Sequence, residues 1–327
     1  MRFIVYGAGA IGSTIGGHLF RTNHDVVLVG NPEHVDRIRE AGLRLVTGDK
    51  THVLRIPACK KAEELTPFRD SDILLLTAKS QHTLICLGQL KNAGAPRTLP
   101  IFCAQNSISN EALATRVFDH VYGVLVNVPG TFLHPGEVIN PITGNNGVLE
   151  VGLYPSGLDD LGRQVAVAFK EAGFAGGVNE SVMKTKAAKC LGNLGNAMQA
   201  IVNTREGTSM FLAEARKEAV EVWRTAGIEW EEREKFQEHI RNMRGTTKMP
   251  EGYENLRSLS SSWQSLMRNT GSIEAEELNG DIVKLGRLLG IKTPYNELLW
   301  NVADEMAKKR EKPGKFTPED LKKMLKE

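Results

Sequence analysis

Lys189, Asn193, Asn196, Ala200 and Asn203 follow one another at spacings of four, three, four and three, which places them on one face of a helix. The surrounding segment, Ser181 to Val202, is otherwise Ala, Leu, Gly, Met and Ile, the composition of a buried helix. Asparagine is a poor helix-interior residue, and solvated faces usually carry Glu, Arg and Lys, so a polar cleft wall is favoured over a solvated face. A second constellation opens the chain. Met1 to Tyr6 is a short apolar run, Gly7-Ala8-Gly9-Ala10-Ile11-Gly12 follows, and Ile15, Leu19 and Phe20 continue with helical spacing. Gly7 allows the turn, Gly9 lets backbone approach a pyrophosphate, Gly12 lets helix and strand pack closely, and the phosphates would sit on the helix N-terminus. Glycine is common here, at 32 of 327 residues, so the motif alone says little. A second strand at Asp25 to Val29 completes the strand–helix–strand order that a dinucleotide site requires and favours that reading over a structural turn.

The elements that must hold these residues fall into two halves. Strands are expected at Phe3 to Tyr6, Asp25 to Val29, Ile73 to Thr77, Pro100 to Ala104 and Tyr122 to Val126, with helices at Ala10 to Arg21, Glu33 to Ala41 and Thr83 to Lys91. That alternation predicts a parallel sheet covered on both faces. Leu43 to Val46 and His52 to Ile56 read as an inserted hairpin, and Thr131 to Tyr154 as antiparallel strands closing the sheet's edge. A helix at Leu158 to Ala172 and a last strand at Phe174 to Val178 precede a stretch without strand signals. There helices are expected at Ser181 to Val202, Ser209 to Ala226, Glu231 to Arg241, Leu256 to Met267, Ile273 to Leu289 and Asn296 to Lys309. A last one starts at Thr317-Pro318-Glu319-Asp320, a cap residue, a proline and first-turn acids. The fold class is therefore α/β, an N-terminal Rossmann-type dinucleotide-binding domain over residues 1–178 with a C-terminal all-α domain over 179–327.

Bulk properties narrow the partners. A net charge of +2 with 24% charged residues favours no strongly charged partner, which argues against nucleic acid. No apolar run approaches the about 20 residues of a membrane span, and no signal peptide is visible, so a cytosolic protein is expected. Cys59, Cys86, Cys103 and Cys190 have neither metal-ligand spacing nor the density of a disulfide framework, so free thiols and no metal site are expected.

Ligands of such folds bind outside the carboxyl ends of the strands, where Lys79-Ser80-Gln81-His82 and Gln105-Asn106-Ser107 follow successive strands. After the second strand stands Gly30-Asn31-Pro32. An acid there would bond a ribose 2′-hydroxyl, and its absence favours NADP over NAD by exclusion. Arg37, Arg39 or Lys79 could supply the positive charge, although either arginine taken alone reads as part of a solvated helix face. Further along come Ser260-Ser261-Ser262-Trp263-Gln264 and the run from Gly271 to Gly280, which contains Glu274 and Leu278-Asn279-Gly280.

Taken together, the glycine motif, Lys79, Gln105-Asn106, the Lys189-x-x-x-Asn193 spacing, the late Glu-x-x-x-Leu-Asn-Gly and Gly290-Ile291-Lys292-Thr293-Pro294 resemble the ketopantoate reductase (2-dehydropantoate 2-reductase) family over nearly the whole chain. The resemblance implies reduction of a 2-oxo acid, most directly ketopantoate to pantoate, by hydride from NADPH, as in pantothenate biosynthesis. A homodimer is compatible with it. Lys189 matches the family's catalytic lysine, which bonds and protonates the 2-oxo oxygen, and Glu274 matches the acid that holds the substrate hydroxyl. Asn106 and Asn193 match amides that touch substrate or nicotinamide, Asn196 stands near the second helix amide, and Ser261, or Ser262 in a register shifted by one, matches the serine that binds the substrate carboxylate. Gly7, Ala8, Gly9, Ala10, Ile11, Gly12, Asn31, Lys79 and Asn106 form the cofactor side. There are departures. Asn31 stands where the family has its 2′-phosphate arginine, Ser107 replaces a common glycine, Asn196 falls one residue early, and one extra residue separates Gln264 from Glu274.

Other functions remain in view. A reductase of another 2-oxo acid is the near alternative. An opine-type dehydrogenase would need a histidine-centred relay, and His134, His239 and the other histidines show no acidic partner at useful spacing. A non-catalytic NADP(H) sensor would have no use for Lys189 with Glu274. The Lys308-Lys309-Arg310 and Lys322-Lys323 clusters are interrupted by acids and read as a solvated helix.

Overall fold

The structure is a computed structural model that describes residues 1–204, 206–254 and 260–326. It opens with β1 (Arg2–Tyr6), α1 (Ala10–Arg21), β2 (Asp25–Val29), α2 (Pro32–Ala41), β3 (Leu43–Thr47), β4 (Thr51–Leu54) and β5 (Ala58–Cys59). Then come β6 (Asp72–Leu76), α3 (Thr83–Asn92), β7 (Ile101–Cys103), α4 (Asn110–Ala114), β8 (Val121–Asn127), β9 (Glu137–Asn140), β10 (Ile142–Thr143), β11 (Val148–Leu153), α5 (Asp160–Glu171) and β12 (Ala175–Val178). Eight strands form one sheet in the order β12-β11-β8-β7-β6-β1-β2-β5. β1 lies parallel to both β2 and β6, so strand order reverses beside β1, where α/β sheets open a ligand crevice.

Alternation along β1 explains the layers. Phe3 and Val5 belong to a core shared with Ile15 and Leu19 of α1 and Val165 and Phe169 of α5. Ile4 and Tyr6 belong to the opposite core, with Leu87 and Leu90 of α3. A strand buried on both faces reads as a continuous apolar run, which is why these strands stand out in the sequence.

The expected edge is only partly right. β11 does pair antiparallel with β8, but β12 lies outside it as the edge strand, parallel to β11. β9 instead joins the β3–β4 hairpin in a separate three-stranded sheet, and β10 pairs with a late strand, β13 (Thr246–Thr247). Two-residue strands carry no periodicity, so β5, β10 and β13 left no signal.

Chain contacts divide the protein into two compact units, Met1–Lys186 with Glu232–Arg257, and Ala187–Glu231 with Ser258–Glu327. The division thus falls after Lys186, inside α6 (Val182–Asn193), and not near Val178. Residues from Glu232 return to the first unit because α9 (Arg233–Met243) sets Ile240 against Leu125, Val148 and Val182. Asn145 secures the return: its Nδ2 donates to the Met243 carbonyl at 2.7 Å, and its Oδ1 accepts from the Gly245 N–H at 3.1 Å.

The second unit contains α7 (Gly195–Val202), α8 (Ser209–Thr225), α10 (Ser261–Met267), α11 (Asp281–Leu289), α12 (Pro294–Lys308) and α13 (Pro318–Met324), and all of these but α11 contribute to a shared apolar core. A capping box of Thr317 and Asp320 starts α13. The helix expected from Leu256 lies outside the described residues up to Leu259, and its described part begins at Ser261. Two expected helices are interrupted. The segment from Ser181 breaks at Leu194 between α6 and α7, and the one from Ile273 opens with a π-helical turn, Glu276–Gly280, before α11. Gly192 and Gly195 flank the first break and weaken the helix there, and π turns are frequent at functional sites.

Candidate active site

The glycine turn sits at the carboxyl end of β1. Gly7 has φ +115°, and a Cβ there would lie 2.2 Å from the Ala78 nitrogen, so this position excludes any side chain. At Gly12 a Cβ would meet the Gly7 carbonyl oxygen at 2.3 Å. At Gly9 the nearest atom would be 4.0 Å away, which leaves an open approach to backbone at the start of α1. The Gly7 and Ala8 N–H groups donate to the Val29 carbonyl, and the Thr77 hydroxyl donates to the Gly7 carbonyl at 2.9 Å, tying the turn to β2 and to the strand across the crevice. With the orphan N–H groups of a helix start facing an open approach, the turn fits a dinucleotide pyrophosphate.

His34 steadies this helix. Its Nδ1 accepts from the Gly136 N–H at 2.7 Å, so the proton assigned to Nε2 points to Ser13 Oγ at 3.1 Å, immediately after Gly12. Burial pulls its pKa down to about 4, which keeps the ring neutral. Asn31 is exposed and caps α2, its Oδ1 accepting from the Glu33 N–H at 3.0 Å. Arg37 pairs with Glu40, while Arg39 bonds the Ala58 carbonyl and Glu64, so both arginines are committed locally.

The two strand-end clusters are one network. Gln105 Nε2 donates to the Ala78 carbonyl and to Thr83 Oγ1, each at 2.8 Å. Thr83 donates to Asn110 Oδ1, and Asn110 Nδ2 donates to Ser80 Oγ and to the Ser107 carbonyl. Lys79 and Asn106 are half-buried on these joined loops. From below, Lys186 Nζ reaches the carbonyl oxygens of Cys103, Gln105 and Val124 at 2.9, 3.0 and 3.2 Å, and Glu111 Oε1 at 2.6 Å. Neither Lys186 nor Glu111 was legible as functional. One is the middle of three lysines, Lys184, Lys186 and Lys189, with nothing local to single it out, and the other lies in a short Asn-Glu-Ala-Leu-Ala helix, and their partnership joins residues far apart in sequence.

In the second unit Lys189, Asn193 and Asn196 are half-buried along α6 and α7. The row is shorter than its sequence spacing suggests. Ala200 belongs to the apolar core, and Asn203 is exposed at φ +51°, the left-handed residue that ends α7, with Trp263 Nε1 donating to its Oδ1. Ser260 caps α10 and donates to the Asn196 carbonyl at 3.3 Å, which brings α10 against α7. Ser261 and Ser262 follow with buried hydroxyls that have no hydrogen-bond partner among the described residues. Glu274 is buried, in the turn before the π-helical residues. Asn279, within that π turn, donates to the carbonyl of Leu194 and to Asn296, so it ties the break between α6 and α7 to the segment carrying Glu274.

Two histidines do have acidic partners that sequence spacing could not reveal. His239 meets Glu150 at 2.6 Å and His24 meets Glu171 at 3.3 Å. Glu150 lies on β11, three strands removed from β6 in the sheet order, so its pair secures the returning segment.

Sheet order, glycine turn and switch point define the first unit as a Rossmann-type dinucleotide-binding domain. The family model for ketopantoate reductase PanE/ApbA matches residues 3–156, and that for the same family's C-terminal part matches residues 181–307. The chain belongs to the ketopantoate reductase family. Curated relatives include the 2-dehydropantoate 2-reductase of Pyrococcus horikoshii, 27% identical over 92% of this chain and 95% of its own, and that of Halobacterium salinarum, 28% identical over 90% and 95%. A PanE/ApbA family ketopantoate reductase from Ralstonia eutropha superposes with a TM-score of 0.78 at 26% identity, covering 95% of this chain and 99% of that one. A D-mandelate dehydrogenase solved with NADH and anilino(oxo)acetate reaches a TM-score of 0.80 at 20% identity, covering 95% and 99%, a likeness of fold.

Proposed function

We propose that the protein reduces 2-dehydropantoate to pantoate with NADPH, as a cytoplasmic enzyme of pantothenate supply. What carries the reading is the row Lys189, Asn193 and Asn196 beside the buried hydroxyls of Ser261 and Ser262, which have no hydrogen-bond partner among the described residues. A cation, amide donors and hydroxyl donors on adjoining helices suit a small acid with a second oxygen to be polarised. Gly7, Gly9 and Gly12 would hold the dinucleotide, with Lys79 and Asn106 on the nicotinamide side. The bound cofactor supplies the hydride.

The residues divide the remaining work. Ser261 or Ser262 binds the substrate carboxylate, and the asparagine amides fix its orientation. Lys189 donates a hydrogen bond to the 2-oxo oxygen and gives up a proton there as negative charge builds, leaving an alcohol and a neutral amine that is reprotonated from solvent. Glu274 accepts a hydrogen bond from the substrate hydroxyl. An analogue lacking that hydroxyl leaves the buried carboxylate unpaired, so hydroxylated 2-oxo acids should be strongly preferred.

Steady-state oxidation of NADPH and NADH against a panel of 2-oxo acids tests this, with Lys189→Ala and Glu274→Gln beside the parent. The expected result is fastest turnover with ketopantoate and NADPH, a loss of about 10²–10⁴-fold in kcat for Lys189→Ala with cofactor binding retained, and a reduced preference for hydroxylated acids in Glu274→Gln. Equal rates for ketopantoate and its deoxy analogue in the parent would remove ketopantoate as the substrate. Normal turnover of Lys189→Ala would remove the lysine as proton donor.

A further inference from the structure

Lys186 lies three residues before Lys189 in α6, yet it is buried where Lys189 is half-buried. Its side chain is 2% exposed and that of Glu111 is 0% exposed. An ammonium has three protons, and Lys186 donates them to the carbonyl oxygens of Cys103, Gln105 and Val124, while the Glu111 carboxylate lies against it as the ion-pair partner. No proton is left for a substrate, and no water reaches it. The stability gain does not account for such a pair. Replacing a buried ion pair by neutral groups of similar volume is often neutral or favourable, because desolvation offsets the attraction.

Its location gives a better account. The Gln105 carbonyl belongs to the peptide group that joins Gln105 to Asn106, so Lys186 holds the plane from which the Asn106 side chain projects. Gln105 is clamped from its other end too, through Nε2 on the Ala78 carbonyl and Thr83. Glu111 begins the chain's return from the same loop and lies one residue after Asn110, whose amide bonds Ser80 and Ser107. The Gln105 carbonyl and side-chain amide N–H groups are thereby both held. We propose that Lys186 and Glu111 are positioning residues, a buried ion pair that fixes the Gln105–Asn106 peptide so that the Asn106 amide meets its ligand in one orientation. The inference rests on the proposed contact of Asn106 with substrate or nicotinamide.

A double-mutant cycle tests it. Lys186→Gln/Glu111→Gln keeps an N–H donor for the strand carbonyls and removes both charges. It should fold with a melting temperature near the parent's and bind NADPH as the parent does, yet lose about 10²-fold in kcat/KM, the scale of a misplacement near 1 Å. Asn106→Ala should lose a comparable amount. Combining all three substitutions should cost little more than Asn106→Ala alone, since the pair then has nothing left to position. Losses that multiply, or an unimpaired Lys186→Gln/Glu111→Gln enzyme beside a crippled Asn106→Ala enzyme, overturn the positioning role and leave the proposed contact of Asn106 standing. Normal turnover of Asn106→Ala removes that contact instead. Should the double variant fail to fold, Glu111→Gln alone enters the same cycle with the same expected non-additivity.

Discussion

At the scale of single residues, Asn31 shows how one side chain can serve the fold where a binding role was sought. Its oxygen caps α2, and loss of such a cap costs about 1 kcal/mol. Replacing it by arginine therefore has opposed effects. The guanidinium can hold a 2′-phosphate with forked, charge-assisted bonds, so the Kd for NADPH should fall about tenfold while that for NADH stays put, and the melting temperature should drop slightly. Titration of both nucleotides with thermal melts reads both effects, and weaker NADPH binding would place the phosphate elsewhere. Lys186 and Lys189 teach a related lesson. Residue type and spacing drew attention to Lys189, but nothing local distinguishes it from Lys186, whose role depends on carbonyls of β7 and β8 that only the folded chain brings to it.

Elements were legible where one pattern ran long enough. α1, β2 and the β3–β4 hairpin lie where the alternation and helical spacing put them, because each buries a face against a core that demands it. Interruptions were not. Leu194 retains helical dihedrals, and Glu276–Gly280 changes only which carbonyl accepts each N–H, a choice that side-chain periodicity does not record. The π turn nevertheless has a measurable consequence. Burial raises the Glu277 carboxyl to about 7, with Glu276, Glu274 and Asp281 adding repulsion. A folded-state value above the unfolded one means that Glu277 takes up a proton on folding between these two values. Its contribution to stability is full below the ordinary carboxylate value and lost as pH rises through about 7. Glu277→Gln should flatten that decline, so melting curves of parent and variant diverge most above neutrality. Parallel curves across that range would show that Glu277 is ionised throughout.

At the scale of the molecule, the sequence announces two kinds of architecture but not how the chain is shared between them. Strand signals end near Val178, while α6 begins within the first unit and ends in the second, and α9 reads as one more helix of the α-rich half although it packs on the first unit. Nothing in an amphipathic helix names the surface it will cover. Asn145 measures that return directly. Asn145→Ala removes bonds to Met243, Gly245 and Gly147, which should cost about 1–3 kcal/mol and lower the melting temperature with kcat/KM unchanged. An unaltered melt would mean that Ile240 and its apolar neighbours hold the segment unaided.

Because each unit is built from two separated lengths of chain, neither is finished when its first length leaves the ribosome. The sheet must wait for Glu232–Arg257 to cover Leu125 and Val148, and those residues are translated only after α7 and α8. In a nascent chain the side of the sheet awaiting α9 is therefore bare apolar surface for the time needed to make the intervening helices, at about 5–20 residues per second, and that interval is where a chaperone would find its purchase.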